Sequence, residues 1–327
     1  MIPGQENMSH ESKHNQDQYP VKFRKEQLWL RANMIQAIRT FFIDHQYLEV
    51  ETPSLIASPA PESHIDAIEA GNLYLQASPE LLMKRLVAAG YNKIFQICRC
   101  FRKDERGRQH LPEFTMLEWY RAGIDYKALM EECEDLLFTV VKALGKEQKI
   151  HYQGQTIDLE KPWKRISVRQ AFDRYSSITP EKALMEDCFD QIMVTMIEPH
   201  LGSTKPTFLY DYPASLGSLA RLKPDENDLA ERFELYMAGI ELANGFSELV
   251  DPEEQEERFK KDREERTRSG KVNYPMPKKF LLALKDMSDT AGIALGIDRL
   301  IMILGNREFI DDVVCFTPDE LQENSRP

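Results

Sequence analysis

The stretch IFQICRCFRKDERGRQHLPEFTMLEWYR, residues 94–121, decides the fold. Its ends, Ile94 to Arg102 and Glu113 to Arg121, are rich in β-branched and aromatic residues and read as paired strands. Between them Lys103 to Pro112 is too polar to enter a core. A loop of about ten residues is longer than a hairpin needs, and loops of that length often carry function. Arg102 leads into it, and it holds Lys103, Asp104, Glu105, Arg106, Arg108 and His110. Arginine forks match phosphate oxygens, so such a loop can close over a triphosphate whose charges repel an incoming carboxylate. A merely solvated hairpin fits the same residues.

Towards the carboxyl terminus, a second hairpin runs from Arg232 to Met237 and from Ile240 to Leu249, turning at Ala238-Gly239. It carries Glu234, Glu241 and Glu248. The turn is expected to set Glu234 nearly opposite Glu241, where like charges call for a neutralising ion. Mg2+ suits such a pair, because it takes one or two carboxylates together with phosphate oxygens. An exposed acidic hairpin is the alternative. The final pattern, Ala291 to Leu304 stopped by Gly305, reads as strand, glycine turn and helix. Arg299 stands in the first turn of that helix, where the macrodipole disfavours a cation unless an anion is in reach. Asp298 complementing the dipole, with Arg299 in solvent, is the competing account.

Towards the amino terminus, Leu28, Met34, Ile35, Ile38, Phe41 and Phe42 recur at helical spacing within Arg24 to His45. An extended segment, Tyr47 to Leu55, follows. A second helix has Ser78 as N-cap, Pro79 first, Leu81 to Ala89 inside and Gly90 as its stop. Residues 126–200 read as mainly helical, and residues 252–268 as a charged helix with a solvated face. Residues 1–20 form a polar tail and residues 21–327 one compact domain, without repeat or linker.

With 327 residues, 42% of them hydrophobic, the chain can bury a sizeable core. No run approaches the roughly 20 apolar residues of a membrane helix, and no signal peptide opens it, so it is expected to stay in the cytoplasm, off the membrane. Its five cysteines lack zinc-site spacing and read as reduced core thiols. A formal charge of -12 argues against a general nucleic-acid binder.

Taken together and in order, these segments resemble the three motifs of class II aminoacyl-tRNA synthetases. Tyr47 to Pro53 resembles the first, Phe101 to Asp104 with Pro112 to Tyr120 the second, and Gly292 to Leu300 the third. The likeness covers about residues 21–320 and is greatest to the lysyl branch, through Ser78 to Arg85, Leu111 to Met116 and Gly239 to Leu249. The resemblance begins about twenty residues in, so the chain is expected to lack that branch's amino-terminal anticodon-binding domain. In this it resembles the lysyl-tRNA synthetase-like ligases that place beta-lysine on elongation factor P.

The resemblance implies an α+β fold, an antiparallel sheet flanked by helices, and a homodimer joined through the first motif. It implies ATP as substrate, Mg2+, a lysine-like amino acid, and elongation factor P rather than tRNA as acceptor. By the same likeness Arg102 and Arg299 are the catalytic cations. Lys103, Asp104, Leu111, Glu241, Leu242 and Gly296 join them around ATP, and Glu234 and Glu241 hold the metal. Ser78, Pro79, Glu80, Tyr120 and Glu248 form the amino-acid pocket, where carboxylates meet a substrate with two ammonium groups. Three positions depart from the family pattern. Asp104 replaces a Glu, Leu111 an Asn, and Ala294 a Gly whose added methyl could favour an amino group displaced by one carbon. A truncated lysyl-tRNA synthetase acting on tRNA or another acceptor, and a non-catalytic regulatory paralogue, are the alternative functions.

Overall fold

In a computed structural model, residues 20–322 are described; residues 1–19 of the expected tail lie outside them. The main sheet has nine strands, numbered here in chain order: β1 Leu48–Glu49, β2 Lys93–Phe101, β3 Glu113–Ala122, β4 Lys164–Ser167, β5 Thr207–Pro213, β6 Leu222–Lys223, β7 Glu226–Met237, β8 Ile240–Ser247 and β9 Thr290–Gly296. Their spatial order is β1-β2-β3-β9-β8-β7-β5-β4, with β6 against β7. From β2 through β5 neighbours are antiparallel, while β1 and β4 join the two ends in parallel. The expected antiparallel sheet is therefore mixed at its edges. Parallel strands need long crossovers, and residues 50–92 supply one for β1 and β2.

Alternation along the strands divides the sheet into two faces. Phe95, Leu117, Trp119, Ile293, Leu295 and Phe233 point to one, where they form a core with Met34, Ile38 and Phe42 of the helix Lys25–Asp44 and with the helices Tyr126–Ala143 and Ile297–Leu304. The intervening residues line the other face, which carries the cavity described below. Over that cavity lie the helices Glu80–Ala88, Pro252–Arg268 and Lys278–Leu284, which share a second apolar cluster through Leu81, Phe259 and Phe280.

Most expected elements are present, and the differences have causes. Between residues 126 and 200 short strands interrupt the helices, among them Lys149–Tyr152, Gln155–Asp158 and β4. Helix Pro252–Arg268 is not merely solvated, because Arg266 is fully buried beside the buried Gln255 and Phe259. All five cysteines are free, but Cys315 is exposed. Helix Glu80–Ala88 begins one residue later than read, although the Ser78 hydroxyl does accept a hydrogen bond from Glu80 N at 3.0 Å. In the β7–β8 turn both Ala238 and Gly239 have positive φ, 55° and 74°. That is the twist a two-residue hairpin loop requires.

Candidate active site

Three successive rungs of the sheet build the cavity floor. The middle rung runs Gln96, Glu118, Ala294, Asn244, Glu234 across β2, β3, β9, β8 and β7. Beside it Tyr120, Gly292, Phe246 and Arg232 form a second rung, and Met116 pairs with Gly296 on the far side. The cavity measures about 830 Å³, within the range of ligand pockets. Arg102 and Arg299 both line it beside His110, while Arg232, paired with Glu234, stands on the rung of Tyr120 and Gly292. Ser78, Glu80, Glu118, Tyr120 and Glu62 line it as well. Arg102 and Arg299, about two hundred residues apart, therefore converge on one space.

The cationic end is held open by the surrounding contacts. Arg299 donates to the Glu241 carbonyl at 2.7 Å, to Glu241 Oε2 at 3.3 Å and to the Gln109 carbonyl at 3.3 Å. It also meets His110 Nε2 at 2.6 Å. His110 accepts there only when neutral, and burial, followed by the Arg299 charge, holds its pKa down. Asp298 does not complement the helix dipole in solvent. It is buried at the cavity wall, with its carboxylate taken by Arg31 at 2.5 Å and the amide of Thr115 at 2.6 Å, so it does not pair with Arg299. Arg102 lies over the Phe114 ring, reaches Glu105 only at 3.7 Å, and has a buried Nε without a partner among the described residues. That is a guanidinium with donors free for an anion.

At the other end carboxyls outnumber cations. Ser78 donates to Glu118 at 2.6 Å and Tyr120 at 2.9 Å. Burial, and then Glu80, nevertheless push Glu118 up to about 8. Behind the wall the buried ammonium of Lys84 sits between Glu80, at 2.5 Å, and Glu248, with which it forms a short ion pair. Burial lowers the Lys84 pKa, but Glu248 and Glu80 outweigh it and hold the lysine charged. Burial also pushes Glu248 up to about 8, against the pull of Lys84. One internal cation thus faces three carboxyls, and a cationic ligand is the natural complement. Gly292 is needed beneath them, because a Cβ there would overlap the Tyr120 ring and Glu248 Oε1.

The expected site residues divide clearly. Ser78, Glu80, Arg102, Leu111, Tyr120, Glu241, Leu242, Gly296 and Arg299 line the cavity. Pro79, Lys103, Asp104, Glu234 and Glu248 do not. Pro79 caps its helix, and Glu248 stands behind Gly292 and Lys84. Lys103 and Asp104 are exposed, Asp104 at φ 61°, and Glu105 occupies the wall instead.

Glu234 does not face Glu241. The two-residue turn sets Tyr236 opposite Glu241, and a bulge after Leu235 shifts Glu234 onto Asn244. Both Glu234 oxygens are taken, one by Arg232 at 2.6 Å and the other by the hydroxyls of Tyr212 at 2.6 Å and Tyr236 at 2.7 Å. Glu234 therefore does not fit a metal, whereas Glu241, more than a third exposed and bound only at 3.3 Å, does. Among the described residues no group of three His, Cys, Asp or Glu could hold an ion. Sequence reading missed Glu118, Glu62, Lys84 and Arg232. The period-2 alternation from Tyr120 could have found Glu118, whereas the others depend on packing between distant segments.

Among the described residues no helix is long and apolar enough to cross a membrane. Residues 18–320 match the family model for tRNA synthetases class II (D, K and N). The chain is similar to proteins named elongation factor P--(R)-beta-lysine ligase from Salmonella arizonae, Salmonella dublin and Salmonella paratyphi B. Each is 41% identical over 322 residues, covering 88% of this chain and 94% of the relative.

Proposed function

Because this chain belongs to the class II tRNA synthetase family, we propose that its cavity activates a lysine-type diamino acid, (R)-beta-lysine, as an acyl-adenylate and that the acyl group passes to a lysine side chain of elongation factor P. The observation that carries this reading is the polarity of the cavity, arginines at one end and cation-deficient carboxyls at the other. That arrangement suits a triphosphate beside a molecule with two ammonium groups.

In the first step a substrate carboxylate oxygen bonds to the α-phosphorus of ATP, the bond from that phosphorus to the bridging oxygen breaks, and pyrophosphate leaves. Arg102 and Arg299 stabilise the charge on the transferring group and align the reactants. Leu111, Leu242 and Gly296 supply walls and backbone groups around the nucleotide. Lys103 and Asp104 would reach the nucleotide only if the loop folds inward. Glu241, with phosphate oxygens, would hold Mg2+, which neutralises phosphate charge. In the second step the acceptor amine bonds to the acyl carbon, AMP leaves, and the amine releases a proton. No protein nucleophile is needed.

Ser78, Glu80, Glu118, Tyr120 and, through Lys84, Glu248 would frame the amino acid. Ile43, Leu48 and Leu55, exposed on or beside the first motif, and Trp29 on the helix that leads into it suit a homodimer interface. ATP and a translation factor as substrates place the reaction in the cytoplasm, and the acidic balance favours a protein over tRNA as acceptor. The direct test is mass spectrometry of elongation factor P incubated with the protein, ATP, Mg2+ and each lysine isomer. A lysine-sized mass gain on elongation factor P is expected; acylated tRNA with unmodified factor would overturn the assignment.

Ala294 touches the cavity between Glu118 and Asn244, so its methyl occupies the floor beside the amino acid. Ala294→Gly is expected to shift pyrophosphate exchange towards alpha-lysine by roughly tenfold, the scale of one methyl in a pocket. An unchanged isomer ratio would remove Ala294 from the account of specificity.

The raised carboxyls give a pH signature. Glu118 binds a substrate ammonium fully only when ionised, so the apparent KM for the diamino acid is expected to fall as pH rises from about 6.5 to about 8.5. Stability runs the other way. With a pKa raised on folding, the native state binds more protons than the unfolded chain between the usual carboxylate range and about 8, so stability declines as pH rises through that window. A KM flat across this range would show that Glu118 does not titrate against the substrate.

A further inference from the structure

Residues 57–66 cross the cavity as an irregular segment, yet it is fastened at several points. The buried guanidinium of Arg266 donates to the carbonyls of Glu62 at 2.8 Å and Ile65 at 2.9 Å and to the Asp66 carboxylate at 2.7 Å. The Tyr274 ring covers it at 4.3 Å, and the Tyr274 hydroxyl accepts from Ala67 N at 2.8 Å. Lys271 adds a hydrogen bond to the Ser63 carbonyl at 2.9 Å. So many fixed contacts on a loop backbone imply that what the loop presents must be held in place.

What it presents is Glu62, whose side chain lines the cavity. No hydrogen bond or ion pair engages the Glu62 carboxyl among the described residues, although Glu80, Arg102, Arg232 and Asp262 surround it within electrostatic reach. Its pKa is pushed up to about 7 by burial first and by Glu80 next. A half-buried carboxyl held beside Glu80 without a donor is costly to ionise unless a ligand completes it.

We propose that Glu62 is a specificity-determining residue that, with Glu80, takes the substrate ammonium nearest the reacting carboxyl. Its position carries the assignment. Glu62 lies in the field of both Arg102, where the reacting carboxylate and the α-phosphate would meet, and Glu80, at the amino-acid end. A group between those two is the amino group next to the reactive centre, not the distal one. This inference rests on the cavity being a diamino-acid site.

The test compares wild type, Glu62→Gln and Glu62→Asp in pyrophosphate exchange and in calorimetric binding. The probes are beta-lysine, alpha-lysine and 6-aminohexanoate, which keeps the distal amine but lacks the near one. Glu62→Gln is expected to weaken the diamino acids by roughly tenfold to a hundredfold, the worth of one charged hydrogen bond, while binding of 6-aminohexanoate and the KM for ATP hold steady. Glu62→Asp should recover part of the loss. Equal loss for all three compounds, or a change confined to ATP, would overturn the proposal. If wild type binds a diamino acid but exchanges none, the activation reading fails, and the affinity ratio still decides on Glu62. If wild type binds none, both fall.

Discussion

Arg102→Ala is expected to lower amino-acid-dependent pyrophosphate exchange by about a hundred- to a thousandfold, with little change in thermal midpoint. Its guanidinium has almost nothing to hold within the protein, since its nearest carboxylate is 3.7 Å away and its buried Nε is unpartnered. Removing it therefore disturbs few native contacts but takes a forked cation from the place where charge develops on phosphorus. Arg102→Lys should recover only part of the rate, because a point charge cannot reproduce two parallel hydrogen bonds. Exchange at the wild-type rate in Arg102→Ala would mean that the cavity does not activate a carboxylate as described.

Arg266→Ala has its largest effect on stability. The residue is fully buried, and its loss takes its donors from the carbonyls of Glu62, Ile65 and Val272 and leaves the Asp66 carboxylate with Lys271 alone, at 3.0 Å. Because Asp66 is 32% exposed and keeps Lys271, the cost falls at the lower end of the range for a broken buried pair, about 3 kcal/mol. A fall of roughly 10 °C in thermal midpoint is the corresponding scan result. Calorimetry of the purified variant checks it, and a shift under about 2 °C would show that the loop holds itself without the arginine. Because the loop also carries Glu62, the folded fraction of the variant should bind diamino acids more weakly than wild type.

Much of this architecture could be read from the residues, because each motif has a local signature. Strands Lys93–Phe101 and Glu113–Ala122 fall within a residue of their expected bounds, and the last helix, Ile297–Leu304, stops at Gly305 as expected. Positive φ at Ala238 and Gly239 follows from the hairpin turn that the sequence suggested. What could not be read depends on register and on distant partners. The two-residue turn by itself sets Tyr236, not Glu234, opposite Glu241, and the bulge after Leu235 carries Glu234 one residue further, onto Asn244; no local pattern announces that bulge. Arg266 looked like one more cation in a run of charges, since its burial is decided by Asp66 and Tyr274, which lie elsewhere in the chain. Glu62 and Lys84 acquire meaning only once Glu80 and Glu248 are brought beside them.

Asp298 and Arg299 are adjacent, yet they are anchored to different elements, Asp298 to the amino-terminal helix and Arg299 to Glu241 of β8. Asp298 grips Arg31 on the long amino-terminal helix, and Arg299 reaches toward the triphosphate end. A tilt of the amino-terminal helix would therefore be felt at Arg299 through a single peptide unit. Two copies meeting through the exposed apolar side chains of that helix would each set the grip of the other's arginine, from a surface that touches neither substrate.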